Sequence, residues 1–75
     1  METYNYTVII EPAEEGGFLA VCPALEGCVS QGESYEETLA NIREAIVCYI
    51  ESLKKHNEPI PKDVDVKVQS VQVAA

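Results

Sequence analysis

The sequence has no tryptophan, one phenylalanine, one methionine, one histidine and only five basic residues in 75. Each scarcity excludes something. Five Lys and Arg against thirteen acids leave a formal net charge of −8, which repels phosphate backbones and argues against direct nucleic-acid binding. The same charge steers basic partners inward, or simply keeps a small domain soluble, and charge alone does not choose between these. No apolar run approaches the roughly 18 residues of a membrane span, and Met1-Glu2-Thr3-Tyr4 opens directly into a strand pattern rather than a leader. A cytoplasmic protein without membrane contact is expected. The three cysteines, Cys22, Cys28 and Cys48, include no C-x-x-C pair, which argues against a secreted disulfide framework and a tetrahedral zinc site. Free buried thiols are the default reading, and a Cys22–Cys28 bridge across a hairpin is the alternative.

What is present is an ordinary globular composition, 47% hydrophobic, in a single domain. A chain this short buries only about 60% of its unfolded surface, so its core is thin and self-association into a homodimer or tetramer is expected.

Tyr4, Tyr6, Val8 and Ile10 alternate with Asn5, Thr7, Ile9 and Glu11, predicting a first strand over residues 3–11. Pro12 to Gly17 reverses the chain, and residues 18–22 form a second strand, apolar on both faces and therefore interior to the sheet. Pro23 to Gly27 is a turn, and residues 28–31 form a third, more polar strand. Ser34 with Glu37 three residues later is a capping box. It starts a helix whose stripe of Leu39, Ile42, Ile46, Tyr49 and Leu53 is widened by Ala45 and Ile50. Lys54 and Lys55 complement the helix dipole, Asn57 suits a left-handed cap, and Pro59 and Pro61 forbid continuation past about His56. Glu51 and Lys55 stand four apart in the favourable order for a surface ion pair.

Residues 63–73 alternate again through Val64, Val66 and Val68, shift phase at Gln69-Ser70, and resume at Val71 and Val73. A bulge, or a strand that pairs with another chain, accommodates the shift. The fold class is therefore α+β: β-β-β-α-β, a four-stranded mixed sheet in order 3-2-1-4, with strand four parallel to strand one and one helix on one face. A single helix leaves the other face, with Ile9, Leu19 and Val21, uncovered.

Tyr6, the strand Val8-Ile9-Ile10, the turn Glu14 to Phe18, the pairs Cys22-Pro23 and Gly27-Cys28, the triplet Ser30-Gln31-Gly32, and the helix ending in Glu58-Pro59-Ile60-Pro61 together carry a family likeness. From Tyr6 to about Pro61 the chain resembles the HicB-like antitoxins, specifically their compact N-terminal module. Ser34 stands where such sequences often have Thr, Thr38 where Ala is usual, and Asn57 where Gly is common. The resemblance implies a partial ribonuclease H-like fold and a non-enzymatic protein that occludes a small basic RNase toxin of the HicA type. Longer relatives add a C-terminal promoter-binding module, and this sequence reaches Ala75 without one, so a stand-alone form is expected. Acids in the loops, Glu14, Glu15, Glu26, Glu33 and Glu36, are the expected partner-binding residues, steering the encounter while an apolar patch supplies affinity.

Chemistry finds little support among the residues. A metal-dependent nuclease needs inward carboxylates at strand centres, and those positions hold Val8, Ile10, Leu19 and Ala20. No metal, cofactor or catalytic residue is expected. His56 reads as a helix-end cap, Ser30 and Ser34 have no base beside them in sequence, and Gly16-Gly17 precedes a strand, not the helix a phosphate cradle needs. Tyr49 reads as core, Tyr35 as core or partner contact, and Tyr4 as undecided. A purely structural or regulatory oligomer with an unknown partner is the alternative function, and a reduced nuclease the remaining one.

Overall fold

The structure, a computed structural model, describes residues 2–75. Three short strands, β1 (Ile9–Pro12), β2 (Phe18–Val21) and β3 (Val29–Gly32), precede one long helix, α1 (Tyr35–Lys55). The strands form an antiparallel sheet in the order β1-β2-β3, so β2, apolar on both faces, is central as its composition predicts. Ile9 faces Val21 in the first pair and Val21 faces Val29 in the second.

β1 is shorter than its alternation predicts because a strand is a property of pairs. The Ile9–Val21 pair is the last of the β1–β2 ladder, and Pro23 turns the partner away immediately beyond Cys22. Residues 3–8 therefore continue without a ladder. Their alternation still holds, since Tyr4, Tyr6, Val8 and Ile10 all lie against the core. The helix makes this possible: 21 residues span about 32 Å, whereas a four-residue strand covers about 13 Å. The overhanging half of α1 supports the N-terminal segment, and Lys54 Nζ sits 5.4 Å from the centre of the Tyr4 ring, placing Tyr4 between core and cation.

Both helix ends follow their sequence signals. Ser34, extended at φ −127°, accepts a hydrogen bond from the Glu37 amide at 3.1 Å. At the other end Asn57 adopts φ 54°. Its amide donates to Lys54 O while that of Glu58 donates to Leu53 O, the paired bonds of a Schellman ending. His56 is the C-cap, its Nδ1 lying 2.8 Å from Ser52 O. The Glu51–Lys55 pair does not form; the ion pair found among the described residues is the exposed Lys67–Asp65 contact at 3.4 Å.

The core consists of Ala20, Cys22, Leu25, Cys28, Ile42 and Ile50. Each large aliphatic side chain among them contributes about 1.5–3 kcal/mol through burial. Leu25 is the member sequence reasoning missed. It belongs to the turn between Cys22 and Cys28, whose amide–carbonyl bonds (Leu25 N to Cys22 O, Cys28 N to Leu25 O) fold its side chain inward. A leucine inside a Pro/Gly-marked turn is the signal that could have revealed it. Thr38 is fully buried and satisfied, its hydroxyl donating to Ser34 O at 2.7 Å.

The predicted fourth strand is corrected: among the described residues the sheet has three strands, and residues 58–75 contain none. The reason lies at Asp63. Its carboxylate accepts from the Thr7 amide at 2.9 Å and the Thr7 hydroxyl at 2.7 Å, and Tyr6 Oη donates to Pro61 O at 2.6 Å. Side-chain bonds therefore join the two segments where the prediction had a backbone ladder. Beyond it Val68, Val71 and Val73 are 92%, 73% and 81% exposed. The radius of gyration, 14.6 Å, exceeds the roughly 11 Å of a compact chain of this length, because this C-terminal arm leaves the body. What the chain shows is an α+β fold of three antiparallel strands and one helix.

Candidate functional site

The helix covers one face of the sheet. On the other, the register aligns Ile9, Val21 and Val29 in one row across all three strands and Glu11, Leu19 and Gln31 in the next. These apolar residues remain open to solvent: Ile9 is 39%, Leu19 41%, Val21 40% and Val29 61% exposed. An uncovered apolar row at the centre of a small sheet is a surface suited to a partner.

The acids distribute unevenly around this face. Glu14 and Glu15 lie in the β1–β2 turn, Glu33 immediately after β3, and Glu36 in the first turn of α1. The turn and the helix start meet, since a Cβ on Gly17 would lie 2.5 Å from Gly32 O. A cleft of about 330 Å³ there is lined by Glu15, Glu33 and Glu37. The fold thus gathers four of the five expected residues at one end of the sheet, beyond the Glu11–Leu19–Gln31 row. It adds Glu37, whose capping position had concealed this second placement. Glu26 stands apart, in the turn at the opposite end of β2.

Around the remaining candidates the structure offers little reactivity. Cys22 and Cys28 face each other across the hairpin, joined by the Cys22 amide to Cys28 carbonyl bond at 3.0 Å, and both are free, buried thiols. Burial pushes both thiols up; in Cys22 backbone bonds from Leu25 and Ala24 oppose the rise and Asp63 adds to it, while Cys22 adds to that of Cys28. Thiolates are disfavoured at both positions. Cys48 is exposed. Burial also raises the Tyr6 phenol, with Cys22, Tyr4 and Asp63 contributing. No group of three or more His, Cys, Asp or Glu side chains among the described residues is arranged to hold a metal ion. No helix among them is long and apolar enough to cross a membrane. Tyr49 lies against the core, whereas Tyr35 is half exposed and meets Phe18 edge-on at 6.5 Å.

A second concavity, about 380 Å³, runs between the N-terminal segment and the helix, lined by Tyr4, Tyr6, Val8, Leu39, Ile42 and Ile46 with Arg43 at its margin. It borders the outer edge of β1. The Ala13–Gly17 bond sets the alternation of the β1–β2 ladder, so Glu11 and Ile9 bond to β2 while Ile10 and Val8 direct their amides and carbonyls outward. The equivalent edge of β3 is partly occupied, because Asn41 Nδ2 donates to Gln31 O at 2.7 Å.

Residues 6–74 match the family described as HicB_like antitoxin of bacterial toxin-antitoxin system. A UPF0150 protein of Synechocystis sp. is 51% identical over 73 residues, covering 96% of this chain and 92% of the relative. A UPF0150 protein of Thermoplasma acidophilum is 59% identical over 59 residues, 79% of this chain and 86% of the relative. Antitoxin HicB 1 of Photorhabdus laumondii is 33% identical over 61 residues, 81% of this chain and 39% of that longer protein. By the extent of the family match and the identity of these relatives, the chain belongs to the HicB-like antitoxins of bacterial toxin-antitoxin systems.

Proposed function

We propose that this chain is a non-enzymatic, cytoplasmic binding module that neutralises a small basic RNase toxin of the HicA type by covering its active surface. Membership of the antitoxin family is the observation that carries this reading. The uncovered row of Ile9, Val21 and Val29, with Leu19 beside it, supplies a desolvating contact. Glu14, Glu15, Glu33 and Glu36 gather at one end of that face and Glu26 marks the other, so a cationic partner is drawn to the sheet from both sides. The protein acts as a homodimer or tetramer, and the four-stranded, partial ribonuclease H-like sheet of the family is completed on association.

The test is the rate at which the purified chain associates with a HicA-type toxin at about 50 mM and about 500 mM salt, where screening lengths differ severalfold. The rate falls steeply with salt, Glu15→Lys with Glu33→Lys lowers it further at low salt, and RNA cleavage by the toxin stops on binding. Undetectable binding at low salt, or a rate indifferent to salt, removes the reading.

A further inference from the structure

The outer edge of β1 has no strand beside it, and the C-terminal arm of residues 67–75 contains no strand of its own. At the edge, the alternation of the ladder directs the amides of Val8 and Ile10 away from β2. The adjoining groove presents Leu39, Ile42 and Ile46. A strand added here would bond to the edge and send alternate side chains into the groove, the mode in which extended segments join open sheets. The arm has the matching pattern. Gln69 Nε2 donates to Ser70 O at 3.1 Å, marking the phase shift as a local irregularity. A bulge there places Val68, Val71 and Val73 on one face, and these are the most exposed valines among the described residues.

The arm does not reach the edge of its own sheet. Thr7 shares the parity of Ile9 and Glu11, so its amide points to the β2 side, into the space Pro23 vacates, and Asp63 binds it there. Asp63 also lies near enough to Cys22 to influence its thiol. The arm thus departs from the inner side of the first strand and would have to cross that strand to reach its own outer edge. Residues 67–75, extended, reach about 30 Å, enough to lie along the same edge of a neighbour.

We propose that the arm of one copy, through Val68, Val71 and Val73, adds as a fourth strand to the outer edge of β1 in a second copy, beside Val8 and Ile10, and that the exchange is reciprocal. The sheet order 3-2-1-4 is then realised with strand four supplied in trans. This rests on the self-association above but not on toxin binding, and it leaves the open sheet face free.

The experiment combines sedimentation at micromolar concentration with residue-resolved amide exchange of the full chain. Wild-type protein sediments as a dimer or a multiple of it, and the Val8 and Ile10 amides are protected. Val68→Lys with Val71→Lys, both at exposed positions, reduces the mass to that of one chain, accelerates exchange at Val8 and Ile10 by about tenfold or more, and leaves helix content unchanged. A wild-type monomer overturns both this arrangement and self-association. An oligomer with unprotected Ile10, or one dissociated by Leu19→Lys but not by the arm substitutions, overturns the arrangement while self-association stands.

Discussion

Gly32 lies so close to Thr38 that a Cβ on the glycine would fall 2.6 Å from the threonine Oγ1 and 2.7 Å from its backbone nitrogen. The end of β3 and the first turn of α1 are thereby in direct backbone contact, with no room for a side chain between them. Gly17, at φ 72°, closes on Gly32 from the other side, so the sheet, the first hairpin and the helix start meet at one point.

Gly32→Ala is expected to lower stability by about 1–3 kcal/mol through overpacking, read from chemical denaturation. Adding Thr38→Ala removes the hydroxyl and the γ-methyl but leaves the backbone nitrogen in place, so the double variant stays destabilised. Recovery of full stability in that variant would show that the obstacle is the side chain alone.

Leu25→Ala is expected to cost about 2–5 kcal/mol, the range for truncating a fully buried leucine. Although Leu25 sits in a turn, its side chain is 1% exposed. A loss within the range of ordinary surface substitutions, as judged by thermal unfolding, would place Leu25 outside the core.

Ser34→Ala removes the acceptor of the Glu37 amide and should cost about 1 kcal/mol. Ser34→Asp keeps an acceptor at the positive end of the helix and should retain most of that stability. Equal losses in the two variants would separate the effect from capping.

Asp63 titrates below its ordinary 3.8 because the Thr7 amide, then the Thr7 hydroxyl, donate to its charged form. A carboxyl depressed in the folded state contributes stability that is present above pH 3.8 and is lost as pH falls through the lower folded value. An NMR titration should show the Thr7 amide shift following the Asp63 carboxyl below pH 3.8. Thr7→Ala should move that midpoint upward without restoring the ordinary value, since the amide bond remains. A midpoint at or above the ordinary value in the unsubstituted protein would contradict the tether.

Much of this fold was legible because its signals are local. Ser34 and Asn57 each state a helix end through their own backbone preferences, and Pro23 and the glycines state the turns. Strand length was not legible: residues 3–8 have the right alternation, but the partner that would extend β1 is diverted at Pro23. The valines of the arm likewise alternate correctly, yet alternation describes a face and not the edge that receives it, and Asp63 claims the contact instead. The acidic end was partly visible. Glu14, Glu15, Glu33 and Glu36 were identified one by one; the antiparallel order of the strands sets Glu26 at the opposite end, whereas the cleft that joins Glu15, Glu33 and Glu37 depends on the close approach of Gly17 to Gly32, which no spacing in the chain expresses.

Asn41 gives the two borders of the sheet different fates. By taking the Gln31 carbonyl, its amide breaks the run of vacant groups along β3, whereas on β1 Pro12 lacks an amide but no side-chain bond among the described residues falls on Val8 or Ile10. With one favoured margin per subunit, the reciprocal exchange proposed above would consume both margins and end in a closed pair instead of propagating into a fibre.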